Sequence, residues 1–161
     1  MALVFAAPRG SYSGWKRQLN LENLIGVGAW DSFFFLLFNV RKIKLKGLKN
    51  KEKPDLVLDS GDAFQGLPVS NHSKGEQMAK AMNKVGYDAM TIGNHEFDFG
   101  YNQLLKLQKQ LHFPMISSNI YKNGKRIFKP STIIKRNGVR YGLVGVTTPE
   151  TKIKTSPDAV K

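Results

Sequence analysis

Four polar side chains in two short stretches carry the chemistry this sequence offers. Asp62 lies in Gly61-Asp62-Ala63-Phe64-Gln65-Gly66, and Asn94, His95 and Asp98 lie in Gly93-Asn94-His95-Glu96-Phe97-Asp98. A carboxylate such as Asp62 is acceptor-only, and its two oxygens can bridge two divalent cations. Asn94 adds a neutral carbonyl oxygen, a hard ligand. His95 can act on a leaving oxygen as general acid, or stabilise charge on a phosphoryl group. Asp98, three residues on, can accept from the other ring nitrogen and so fix the tautomer. Two metals about 3.5–4 Å apart would clamp a phosphate and activate a bridging water for in-line attack. Each residue alone has a plainer reading. An Asp after a strand caps helices or forms turns, Asn-His is a common turn pair, and Asp98 can cap the helix that follows. The two glycine-led motifs together, each after a strand and one crossover apart, would rarely arise by accident. His72, in a loop, and His112, at a helix end, read as solvated residues.

These side chains need strands and turns to aim them. Asp55-Leu56-Val57-Leu58-Asp59 is a short apolar run after Pro54 and reads as a buried strand. Ser73 with Glu76 reads as a capping box. Met78, Ala81, Met82 and Val85 then recur at helical spacing up to a stop at Gly86. Asp88-Ala89-Met90-Thr91-Ile92 is the next strand. Strand, helix and strand in this span predict a βαβ unit with parallel strands, and ligands bind at the carboxyl edge of such sheets. A second helix is expected from about 101 to 111, ended by Pro114, with a third strand at 115–119. Asn123-Gly124 signals a hairpin, and 131–135 with 140–146 read as antiparallel strands joined at Asn137-Gly138. Residues 1 to about 40 show no steady period, and glycines at 10, 14, 26 and 28 break any helix.

Composition bounds the rest. The chain has 161 residues, 41% hydrophobic and 11% aromatic, which suits a globular domain or a piece of a larger one. There is no cysteine, so disulfides and thiolate metal sites are excluded and a metal must be held by His, Asp, Glu or Asn. The formal net charge is +13. Much of it is the run Arg41, Lys42, Lys44, Lys46, Lys49, Lys51 and Lys53, which lacks interleaved aromatics and reads as a solvated face. The longest apolar run, at 33–38, is far short of the ~18 residues a membrane span needs. Residues 1–7 have no basic start and do not read as a signal peptide.

The two motifs resemble the second and third motifs of calcineurin-like metallophosphoesterases. Their longer forms, Asp59-Ser60-Gly61-Asp62-Ala63-Phe64-Gln65-Gly66 and Gly93-Asn94-His95-Glu96-Phe97-Asp98-Phe99-Gly100, are similar to bacterial secreted 5′-nucleotidases. That group includes UDP-sugar hydrolases and 2′,3′-cyclic-nucleotide phosphodiesterases. Gly145-Val146-Thr147-Thr148-Pro149-Glu150 fits its pattern too. The resemblance covers residues 40–161 and implies an α/β fold, about the first half of a four-layer αββα sandwich, with 1–39 divergent and unassigned. It implies that Asp62 bridges two divalent ions (Zn, Mn, Co or Mg), that Asn94 binds one, and that His95 and Asp98 form the catalytic dyad. The implied reaction takes a nucleotide to a nucleoside and phosphate, in a secreted, periplasmic or cell-wall setting, with no nucleic-acid partner. Two family features are absent from the sequence. No Asp-x-His occurs, Asp31-Ser32-Phe33 standing in roughly that region, and no Gly-His-x-His occurs. The expectation is therefore a partial site, inactive alone and holding its ions loosely. The alternatives are a phosphodiesterase or nucleotide-sugar hydrolase of the same fold, and a non-catalytic basic module for nucleic acid or an anionic polymer.

Overall fold

The computed structural model describes residues 3–8, 24–27 and 35–155, with side chains from residue 44 onward except 152 and 154. Strands β1 (Leu3–Pro8) and β2 (Leu24–Val27) precede helix α1 (Phe35–Glu52). Strand β3 (Leu56–Asp59) leads through helices α2 (Pro68–His72) and α3 (Glu76–Val85) to β4 (Ala89–Thr91). A single 3-10 turn (His95–Phe97) and helix α4 (Tyr101–Gln110) lead to β5 (Met115–Ile116). The hairpins β6 (Tyr121–Lys122) with β7 (Lys125–Arg126) and β8 (Ser131–Arg136) with β9 (Val139–Val146) follow, and then a short helix α5 (Thr151–Lys154).

Two sheets are formed. One runs β2-β3-β4-β5 and is parallel throughout. The other runs β1-β9-β8 and is antiparallel. Side-chain alternation in the parallel sheet explains how it is buried on both faces. Val57, Met90 and Met115 pack with Met82, Val85, Leu104 and Leu107 of α3 and α4 in one core. Leu56, Leu58, Ala89 and Ile116 face the other way and form a second core with Leu143 of β9, flanked by Ile134 and Tyr141. Strands buried on both faces read as continuous apolar runs, which is why 55–59 stands out in the sequence. The result is a helix layer, a parallel sheet and an antiparallel sheet, an α/β arrangement that supplies part of the expected sandwich.

The βαβ unit is as expected, with Leu58 opposite Ala89 and Asp59 opposite Met90 in parallel register. Gly86 stops α3 in a left-handed conformation at φ 81°, its N–H bonded to Met82 O. The hairpin at Asn137-Gly138 is also present, both residues at positive φ, as is the one at Asn123-Gly124. Three expectations are corrected. Ser73 and Glu76 do not form a capping box: α3 begins after a left-handed Gly75, and the Glu76 carboxylate is taken by Lys106 at 2.7 Å instead. The strand expected at 115–119 is only Met115–Ile116, because Ser117 and Asn119 turn away to bond Thr147. Ordered elements also occur where no period is visible: β1 pairs β9 and β2 pairs β3, edge positions that short strands fill without needing alternation of their own. Among the described side chains of the basic run, which follows α1 and passes its end, Lys44, Lys46, Lys51 and Lys53 are solvent-exposed, and Lys49 turns inward to the Gly86 carbonyl at the end of α3. Asp31-Ser32-Phe33 lies outside the described residues. No helix among the described residues is long and apolar enough to cross a membrane.

Candidate metal and phosphate site

The carboxyl ends of β3 and β4 lie side by side, so the loops that leave them must share little space. Glycine makes this possible. A Cβ on Gly61 would come within 2.8 Å of Gly93 Cα and 2.9 Å of the Thr91 carbonyl, and Gly61 itself sits at φ 92°. A Cβ on Gly93 would lie 2.7 Å from Asp62 N. Backbone therefore stacks on backbone, and the residues that follow each glycine are brought together. Asp62 adopts φ 63°, a left-handed conformation costing a non-glycine residue roughly 1–2 kcal/mol. Strain of this kind at a loop tip is held by its surroundings and marks sites of function.

The surrounding structure that holds it is Glu96. Its carboxylate, only 1% exposed, accepts three backbone N–H groups, each at 2.7 Å: Asp62 and Gly93 on Oε2, and Ala63 on Oε1. One side chain thus ties both motif loops to each other. Burial pushes its pKa up to about 7, with the Asp62 charge adding to the rise and the three amides opposing it. Sequence reasoning quotes Glu96 within the motif but gives it no task. The available signal is slight: a carboxylate beside Phe97 within the second motif.

Asp62, Asn94, His95 and Asp98 are brought together as expected. The His95 backbone N–H donates to Asp62 Oδ1 at 3.0 Å, so the second motif begins against the carboxylate of the first. Asn94 is 4% exposed and opens the 3-10 turn that presents His95. That turn places His95 and Asp98 at i and i+3, and the His95 ring Nδ1 lies 2.8 Å from Asp98 Oδ2. The imidazole is part-exposed while Asp98 is more deeply set, so the ring is anchored at Nδ1 without being buried. His72 and His112 are exposed, as expected for solvated residues.

Beneath this pair, Asp59 ends β3 fully inside the protein, its Oδ1 accepting the Gly61 N–H at 2.8 Å. Burial raises its pKa to about 8, offset in part by the Gly61 amide and raised further by Glu96 and Asp62. Three acidic groups thus converge at the end of one sheet, and a cation there would offset their mutual repulsion. The donors at its surface, the Asp62 carboxylate and the Asn94 carboxamide, are the hard oxygens that divalent ions such as Mg and Mn take. They fit as part of a ligand set. Among the described residues no group of three or more His, Asp or Glu is placed to close around an ion.

With that geometry in hand, comparison with known proteins is decisive for the family. The description of the calcineurin-like phosphoesterases matches residues 25–153, which include both motif loops. The chain belongs to that family. Relatives within it include the 5′-nucleotidase of Vibrio parahaemolyticus serotype O3:K6, 41% identical over 107 residues, which are 65% of this chain and 19% of that protein. Protein UshA of Escherichia coli K12 is 41% identical over 105 residues, 64% of this chain and 19% of that one. Among solved structures, a 5′-nucleotidase precursor from Thermus thermophilus superposes with a TM-score of 0.61 at 33% identity, covering 69% of this chain and 23% of that chain. The calcineurin-like phosphoesterase YfkN of Bacillus subtilis shares the fold at 20% identity, with a TM-score of 0.63 over 81% of this chain and 49% of its own. The chain spans about a fifth of the length of the curated relatives it matches. Both motif loops fall within the span that the family description matches.

Proposed function

We propose that this chain forms the Asp62–His95 part of the site of a phosphate-ester hydrolase of 5′-nucleotidase type, which releases phosphate from a nucleotide. The observation that carries the reading is the continuity from Asp62 to His95: the backbone of His95 bonds the Asp62 carboxylate, while its ring is held by Asp98. A group able to hold a cation and a group able to meet phosphoryl or leaving-group oxygen are therefore neighbours.

In this reading Asp62 and Asn94 contribute ligands to two divalent ions, whose identity is left open. Bound there, the ions would supply Lewis acidity and an activated water. The chain's own residues do the positioning. Glu96 fixes the two loops, Asp98 holds the His95 ring by Nδ1, and Nε2 remains to donate to or accept from the phosphate ester. The 41% identity to 5′-nucleotidases supports a nucleotide over other esters, and the resemblance to secreted 5′-nucleotidases supports action outside the cytoplasm. The described donors are few, so we propose that this chain alone holds its ions loosely and turns over little substrate.

The test is a Mn²⁺ titration of the metal-free chain, followed by paramagnetic broadening of backbone amide signals. Broadening should centre on Asp62 and Asn94 and disappear in Asp62→Asn. Broadening scattered over surface carboxylates, with the signals of 62 and 94 untouched, removes the reading. Tight nucleic-acid binding by the metal-free chain, falling steeply with salt, would favour the basic binding module instead.

A further inference from the structure

Asp98 has two carboxylate oxygens, and the dyad accounts for one of them. Oδ2 meets His95 Nδ1 at 2.8 Å, while Oδ1 accepts a hydrogen bond from the Thr155 hydroxyl, also at 2.8 Å. Thr155 is 57 residues away in sequence and 9% exposed. From these contacts we infer that Thr155 is a positioning residue for the His95–Asp98 pair, acting by fixing the rotation of the Asp98 carboxylate so that Oδ2 stays on the imidazole.

The physical reason starts from the carboxylate. A terminal carboxyl torsion is broad and roughly two-fold, so one hydrogen bond does not hold it in place. A donor on each oxygen does. With Oδ2 fixed as acceptor, Nδ1 carries the proton and Nε2 is the nitrogen left toward the open side. Without the hydroxyl, Oδ1 loses that donor at a part-buried carboxylate, and the hold that keeps Oδ2 on the ring is weakened.

Thr155 reaches Asp98 because the segment before it is tied to the same sheet edge. Thr147, just past β9, donates its hydroxyl to the Ile92 carbonyl at 2.5 Å and its N–H to Asn119 Oδ1 at 2.9 Å. Asn119 returns a bond from Nδ2 to Thr147 O at 2.7 Å. Ile92 immediately precedes Gly93, so the antiparallel sheet is fixed to the strand end from which the His95 loop departs. The chain then turns, with the Thr151 N–H and hydroxyl both bonded to Thr148 O, and α5 ends in an extended Thr155 beside Asp98. The end of the described chain thus closes on the dyad through the Asp98 oxygen that the imidazole leaves unused.

This inference rests on the dyad assignment proposed above, but its test does not need turnover. The chain has three histidines, so ¹⁵N-labelled imidazole signals of His95 can be read with His72 and His112 as internal references. The comparison is Thr155→Val, which removes the hydroxyl at similar size, with Thr155→Ser, which keeps it. It is made at alkaline pH, where an ordinary imidazole is neutral. The expected result is one Nδ1–H tautomer of His95 in the parent chain and in Thr155→Ser, and ring shifts moved toward a tautomer mixture in Thr155→Val. The shifts of the other two histidines should stay put. Should Thr155→Val fail to fold, Thr155→Ala carries the same test without a branched side chain. Unchanged His95 ring shifts in a folded hydroxyl-less variant overturn the inference, as do equal shifts in the Ser and Val variants. Altered ring shifts in a chain whose Asp62 and Asn94 signals are untouched by Mn²⁺ leave this inference standing while the proposed function fails.

Discussion

Glu96 shows how one carboxylate can set the geometry of others without touching a ligand. Its two oxygens satisfy three amides, one buried and two part-buried. In Glu96→Gln the side-chain NH₂ must face at least one of those N–H groups, donor against donor. The expected cost is about 2–4 kcal/mol of folding stability, in line with breaking a buried charged hydrogen-bond network. Chemical denaturation measures it, and a loss below about 0.5 kcal/mol would show the three bonds to be unimportant. Asp59 gives a pH signature. Its folded pKa is near 8 while the unfolded value is near 4, so between those pH values the folded chain binds the extra proton. Stability therefore falls as pH rises through that window and levels off above it. Asp59→Asn keeps an oxygen for the Gly61 N–H and has no proton to lose. With chelator present, the melting temperature of the variant should exceed the parent's at pH 9, and the gap should shrink steadily toward pH 5. A gap that does not change with pH would show that Asp59 titrates as an ordinary carboxylate.

At the scale of elements, the site depends on two loops that touch through glycine. Gly61→Ala places a methyl against the Gly93 backbone and also forces an L-residue to φ 92°. Neither neighbour is a flexible side-chain end, so the loops must separate. The expected loss is about 3 kcal/mol or more, together with loss of Mn²⁺ broadening at Asn94. Gly66→Ala, where a Cβ meets nothing within 4 Å, has positive φ but no collision, and should cost less. The contrast separates crowding from backbone preference, and equal losses in the two variants would attribute everything to φ. These elements also show what the sequence makes visible. The βαβ unit is legible because both strands are apolar on each face and α3 has a clear stripe closed by Gly86. The four polar residues are legible because each follows a strand end and a glycine. The capping box misleads because Ser73 and Glu76 have the right spacing, yet Lys106 on α4 competes for the carboxylate, a tertiary fact that no local pattern carries. Strands β1 and β2 are invisible because their partners, β9 and β3, lie far along the chain and supply the order. Thr155 is hidden for the same reason: its meaning comes from a contact 57 residues away.

At the scale of the whole molecule, the described chain holds the loops but few of the donors that two ions need. Two-metal catalysis depends on several ligands per cation, since charge and geometry set both affinity and the acidity of the activated water. Asp62 and Asn94 offer hard oxygens, and no group of three His, Asp or Glu stands ready among the described residues. The His95–Asp98 pair is formed, but it acts only on a phosphate held in place, and misplacement of about 1 Å can already cost ~100-fold in rate. Packing points the same way. In the β8–β9 register Ile133 pairs with Gly142 and Ser131 with Val144, so Ile133 and Val144 share the outward face of the antiparallel sheet, 46% and 39% exposed. Exposed apolar sheet of this kind favours association over a well-behaved monomer. The chain made as it stands is therefore expected to release little or no phosphate from AMP or an aryl phosphate, with Mn²⁺, Zn²⁺ or Co²⁺ added. The assay compares it with His95→Ala, and the two should differ by less than about threefold because neither has a positioned phosphate to act on. Robust metal-dependent turnover in the parent, abolished in His95→Ala, would overturn the expectation. It would mean that Asp59, His72 or another group completes the metal shell, and that the loops tied by Glu96 suffice for catalysis.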